Sequence, residues 1–193
     1  MSLTIPKLIR NIKEVRKITD SELSFKLVES GFENEFKANH PKWVSQRGLG
    51  SSNHLVYSSG FSSCQGVVFL EPGVCGALAH NRPEYDPYDF LTGNWKNLEK
   101  GIEDPREIFP DTKKVIAVHV RHEYNHSWPN CWIDGALAKI GIKGVNHILI
   151  GGDCNDGWMS IGLDVKNALL YVFPSDHPYG LCLDMTKLSG GRK

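Results

Sequence analysis

The stretch Gln65-Gly66-Val67-Val68-Phe69-Leu70, then Glu71-Pro72-Gly73, then Val74-Cys75-Gly76-Ala77-Leu78-Ala79-His80, decides the fold. The first run is short, apolar and β-branched, which marks a buried strand. Proline presets φ and glycine supplies a positive φ, so residues 71–73 reverse the chain. The second run returns as an antiparallel strand. The unit is a β-hairpin, entered through Ser58-Ser59-Gly60-Phe61-Ser62-Ser63-Cys64 and closed by His80.

Working outward, Leu55-Val56-Tyr57 reads as a short strand, and residues 58–63 as a small, flexible stretch. Val115–Val120 and Val145–Ile150 are further strands, and Gly180–Asp184 is the last. Cys131–Ile140 is a helix stopped by Gly141. Residues 95–103 are a second candidate helix, and residues 161–173 fit helix or strand. On the N-terminal side, an amphipathic helix runs to about Lys17. Residues 31–53 read as loop, with one short element near Trp43-Val44. Strands interleaved with helices imply an α/β fold. The expectation is a single layered domain with a mixed, largely antiparallel β-sheet flanked by helices.

The chain has 193 residues, enough for one well-buried core. With 40% hydrophobic and 23% charged residues, it has an ordinary globular composition. Lys+Arg and Asp+Glu both number 22, so no basic excess points to nucleic acid. No apolar run reaches the roughly 18 residues of a spanning helix, and the N-terminus lacks a signal-peptide core. Five cysteines without a CxxC pair do not make a disulfide framework. A reducing, cytoplasmic setting is expected, with delivery into another cell left open.

A thiol nucleophile needs a base, and the base needs a third group to set its tautomer. Counting roughly six residues each way from the turn brings Cys64 and His80 opposite or nearly opposite each other, within a register error of one. The serine-rich entry can present backbone N–H groups to an oxyanion and hydroxyls to His80. The alternative is a buried structural cysteine beside a strand-end histidine, since free cysteines often act as small hydrophobes.

The 23 residues from Ser58 to His80 resemble the active-site hairpin of the CheD family, the bacterial chemoreceptor glutamine deamidases. A similar Cys–His arrangement occurs in the cytotoxic necrotising factor toxins. The resemblance implies Cys64 as nucleophile, His80 as general base and Ser58 as the group orienting His80, where the family has a Thr. Ser63 matches the serine before the cysteine, and Ser62 stands in place of a Gly. Ser63 and Ser62 are thus the candidate oxyanion or substrate-positioning residues. His147-Ile148-Leu149-Ile150-Gly151-Gly152 is similar to the family's strand ending in Phe-Gly-Gly, and Ile161-Gly162 with Asn167 is a weaker echo. On this resemblance residues 1–50 form a helical and loop extension, and 51–188 the catalytic core.

Other constellations point elsewhere. His119, His122 and His126, with Glu123, have zinc-like residue types. However, His119 lies in a strand and Pro129 follows closely, so the helix on which the His122-Glu123-Tyr124-Asn125-His126 spacing could hold zinc is not expected. A polar strand end is the stronger reading. Residues 151–157 lack the P-loop Lys and the EF-hand Glu, and read as a turn. Nothing local supports Cys154 with Asp176-His177 as a second catalytic set. Cys75, Cys131 and Cys182 read as core, and the five tryptophans as packing or pocket rims.

The expected function is conversion of a target protein's Gln to Glu through a thioester, with no cofactor and no metal. The expected partner is a protein bearing that Gln, with no nucleic acid and no membrane insertion. Two alternatives stand beside it. One is a related Cys–His amidase, protease or transglutaminase. The other is a non-catalytic protein-binding module using the loop 81–94, with Tyr85, Tyr88 and Phe90, as its contact surface. A catalytic Cys64 is expected to alkylate well below the usual thiol pKa of about 8.5.

Overall fold

A computed structural model describes residues 25–62, 64–81, 105–122, 130–150, 158–175 and 177–188. The expected helices at 7–17 and 95–103, and the aromatic loop from residue 82 onward, lie outside these residues.

Eleven strands form among the described residues, and they make two mixed sheets rather than the one expected. The first holds β1 (Phe25–Glu29), β2 (Lys42–Trp43), β4 (Leu55–Phe61), β9 (Met159–Asp164), β10 (Leu169–Pro174) and β11 (Tyr179–Asp184). Their order is β1-β11-β10-β9-β4-β2. The second holds β3 (Leu49–Ser52), β5 (Gln65–Glu71), β6 (Cys75–Asn81), β7 (Ile116–His122) and β8 (Asn146–Ile150), in the order β3-β6-β5-β7-β8. Each sheet is antiparallel except at one edge, where β2 joins β4 and β8 joins β7 in parallel. The ambiguous segment 161–173 is two strands, β9 and β10. Its reversal passes through Ala168 in the left-handed region, at φ 55°.

Period-2 alternation explains the layering. On β5, Val68 and Leu70 face the other sheet, and Val67 and Phe69 face outward into a second cluster. Both faces are covered, so β5 reads as a continuous apolar run. The central layer joins Val56, Phe61, Ile161 and Leu163 of the six-stranded sheet to Val68, Leu78, Val118 and Val120 of the five-stranded one. Burying each such side chain contributes about 1.5–3 kcal/mol.

Helices are few among the described residues. α1 (Phe32–Ala38) sets Phe36 against Tyr57, Tyr171 and Phe173 on the outer face of the six-stranded sheet. α2 (Pro105–Ile108) is a single turn. α3 (Asn130–Lys139) packs Leu137 with Val67, Phe69 and Phe109 on the outer face of the five-stranded sheet. The chain leaves α3 through Gly141 at φ 87°, at the position where its sequence predicts a stop. No helix among the described residues is long and apolar enough to cross a membrane.

Candidate active site

β4 does more than its sequence suggests. Residues 58–61, expected as a flexible entry, are strand residues paired with β9. The pairing runs from Leu55↔Asp164 to Ser59↔Ser160, then slips to Phe61↔Met159. The extra residue is Gly60, at φ 85°, a conformation costly to any residue with a Cβ. One inserted residue reverses which face the next side chain takes. Phe61 therefore joins Ser58 on the face toward the other sheet.

That inward turn builds the site. The Phe61 ring stacks on the His80 imidazole, with centroids 3.8 Å apart and planes 16° from parallel. Gly66 pairs with His80 across the hairpin. A Cβ at Gly66 would lie 2.3 Å from Ile161 Cδ1 and 3.3 Å from Phe61 Cε1, so the missing side chain makes the notch that Phe61 and Ile161 fill.

Ser58 and His80 come together across the seam between the sheets. Ser58 Oγ lies 2.8 Å from His80 Nδ1 and 2.7 Å from Val44 O. A carbonyl only accepts, so the hydroxyl proton points to Val44 O. Ser58 Oγ must then accept from Nδ1–H. This assigns the Nδ1–H tautomer and leaves a lone pair on Nε2. Nε2 is buried and has no hydrogen-bond partner among the described residues. Burial also drives the His80 pKa down to about 4, so the ring is a neutral base at pH 7.

Cys64 lies on the same face. It is two residues before Gly66, so it is a diagonal neighbour of His80 rather than the partner directly opposite, a shift of two where the hairpin count allowed one. Such neighbours are separated by about 7–8 Å at Cα, within reach of a long side chain. No Sγ–Nε2 hydrogen bond is formed, since Nε2 is unpartnered. Instead Cys64 Sγ accepts from Gln46 Nε2 at 3.3 Å. Gln46 sits in a segment read from sequence as polar loop, and no local motif marks it. Ser62 N–H bonds Gly60 O at 3.1 Å, and Ser63 lies outside the described residues.

Of the three histidines, the two described ones separate. His119 and His122 are three apart on β7 and point to opposite faces. His122 Nε2 donates to Phe61 O at 2.9 Å, tethering the bulge from the core side. His119 lies on the outer face, 3.0 Å from Gln65 Oε1 and 3.1 Å from His147 Nδ1, and His147 Nε2 is 3.0 Å from Asp134 Oδ1. His126, Cys154 and Asp176 lie outside the described residues. Cys182 is buried, and Cys75 is half-buried with its thiol donating to Ser52 O at 3.5 Å.

Two neutral, buried histidines make stability pH-dependent. Burial, and then the nearby His147 and Arg121, bring the His119 pKa down to about 3. Unfolded, both rings bind a proton near 6.5. Between that value and the folded pKa only the unfolded chain is protonated, so stability falls as pH falls. The expected loss runs from about pH 6.5 to pH 4 and is on the order of 3 kcal/mol for His80 alone. Urea midpoints across that range should fall steeply in the wild type and less in His80→Gln. Equal slopes would show that His80 is not buried as a neutral ring.

No family model matches the chain, and no curated protein matches it significantly.

Proposed function

We propose that the protein is a cysteine-dependent protein glutamine deamidase, with Cys64 as nucleophile, His80 as base and Ser58 as the group that orients His80. The observation carrying this reading is the Ser58–His80 hydrogen bond, with the Nε2 lone pair on the same sheet face as Cys64. Burial keeps His80 neutral, so it acts as a general base during attack rather than resting as an imidazolium. Rotation of the Cys64 side chain on substrate binding would close the gap, as loose catalytic contacts in free enzymes tighten in complexes.

In the first half-reaction the Cys64 proton passes to His80 Nε2 as Sγ bonds the γ-carboxamide carbon. His80 then protonates the leaving nitrogen, ammonia departs, and a thioester remains. In the second, His80 takes a proton from water, the new C–O bond forms, and the C–S bond breaks. The proton returns to Sγ and the target carries a glutamate. The test is incubation with glutamine-rich proteins, reading ammonia release and Gln-to-Glu conversion by mass spectrometry. Conversion that is lost in Cys64→Ala supports the reading. Attachment of an added amine instead of water would make the enzyme a transglutaminase.

Ser58→Ala is expected to lower turnover by about tenfold to a few hundredfold, the size of effect associated with orienting groups. It is not expected to be silent in folding. Ser58 is fully buried and serves both Val44 O and His80 Nδ1, so its loss should cost about 1–3 kcal/mol. Ser58→Thr keeps the hydroxyl and should recover most of the rate. Full activity in Ser58→Ala would remove Ser58 from the site.

A further inference from the structure

We propose that the Gln46 carboxamide is the oxyanion donor of this site; the proposal rests on the deamidase reading and adds a residue to it. Gln46 Nε2–H points at Cys64 Sγ from 3.3 Å. When Sγ bonds a carboxamide carbon, the carbonyl oxygen becomes an oxyanion next to the sulfur. A donor already aimed at the sulfur then needs only a small shift to reach that oxygen, within the 2.7–3.1 Å or so that such donors require. No covalent bond of Gln46 is made or broken. A neutral amide donates without taking up the proton that His80 must carry, so the two groups do not compete.

The segment bearing Gln46 is held from both sheets, which is the preorganisation such a donor needs. On one side Val44 N–H bonds Tyr57 O at 2.8 Å, and Val44 O receives Ser58 Oγ–H at 2.7 Å. On the other, Arg47 N–H bonds His80 O at 2.8 Å, and His80 N–H bonds Gly48 O at 2.9 Å. Between these anchors Arg47 takes φ 63°, turning the chain across the seam. The same residues that orient the His80 ring also hold Gln46 over the cysteine. Gln46 is an exposed residue, whereas the Cys64 it contacts is buried. The backbone alternative is weaker at Ser62, whose N–H is engaged by Gly60 O.

Two reactions of Cys64 separate an oxyanion donor from a group that merely touches the thiol. Acylation by p-nitrophenyl acetate passes through a tetrahedral oxyanion, and alkylation by iodoacetamide does not. Both are followed at the Cys64 peptide by mass spectrometry, on variants with matching urea midpoints. Gln46→Ala should slow acylation by about 10²- to 10³-fold, as loss of one oxyanion donor does, and alkylation by less than about threefold. Gln46→Glu, which replaces a donor with an anion, should slow acylation further. Equal slowing of both reactions, or of neither, would overturn the proposal while leaving Cys64 as nucleophile. If wild-type Cys64 reacts no faster than free cysteine in either assay, the deamidase reading falls and the role of Gln46 falls with it.

Discussion

Replacing Cys64 by serine is expected to abolish turnover, by about 10⁴-fold or more, while the protein stays folded. Loss of a nucleophile removes the covalent route, and the remaining groups give only residual catalysis. A hydroxyl is also a far weaker nucleophile at neutral pH, and the neutral His80 must then deprotonate a much poorer acid. The structural cost is small because Ser differs from Cys only at the γ atom. That atom already accepts a hydrogen bond from Gln46, and a hydroxyl can accept the same one. Thermal melts should therefore overlay within about 1 kcal/mol. Retained turnover in Cys64→Ser would end the cysteine mechanism. Unfolding of the variant would show that Cys64, which is 1% exposed in the central layer, acts first as packing.

The largest stability effect is expected at Phe61. Its ring is fully buried, stacks on His80 and fills the notch at Gly66. Phe61→Ala removes those contacts and opens a cavity between two sheets that cannot easily collapse, at a cost of about 3–5 kcal/mol. Against a total stability of about 5–15 kcal/mol, that is a large fraction. Turnover should fall as well, because the ring is one wall holding the imidazole. Phe61→Leu keeps most of the volume and removes the stack, so it should cost less than about 1.5 kcal/mol and still lower turnover. Urea midpoints and turnover of the two variants separate packing from ring orientation. A change below about 1 kcal/mol in Phe61→Ala would mean that the ring does not hold the seam.

The hairpin was legible because its signals are local. Apolar runs on both sides of Glu71-Pro72-Gly73 mark two strands and a reversal, and chain geometry alone brings Cys64 and His80 to the same end. Its register, Gly66↔His80, is set two residues from the one counted. An even shift preserves facing, so Cys64 and His80 still share a face. The stop of α3 at Gly141 and the strand β8 were legible for the same reason, as each is written in adjacent residues.

What the sequence left open depends on contacts between distant segments. Residues 161–173 carry apolar residues that suit either helix or strand. Pairing of β9 with β4 and of β10 with β11 resolves the choice, and no local pattern reports that pairing. β1 lies against β11, with Phe25 opposite Leu183, so the split into two sheets was not readable from neighbouring residues. Gly60 looked like part of a flexible tract. Only pairing with β9 makes it a bulge, and only the bulge turns Phe61 onto His80. Gln46 has no motif at all, and it reaches Cys64 because Val44 is tied to one sheet and Gly48 to the other. Adjacent residues alone place Cys64 and His80, the proposed nucleophile and base, at one end of a single hairpin. Tertiary structure alone decided what orients and surrounds that pair, because those groups arrive from the facing sheet, and strand pairing across long separations is set by the packing of the whole core.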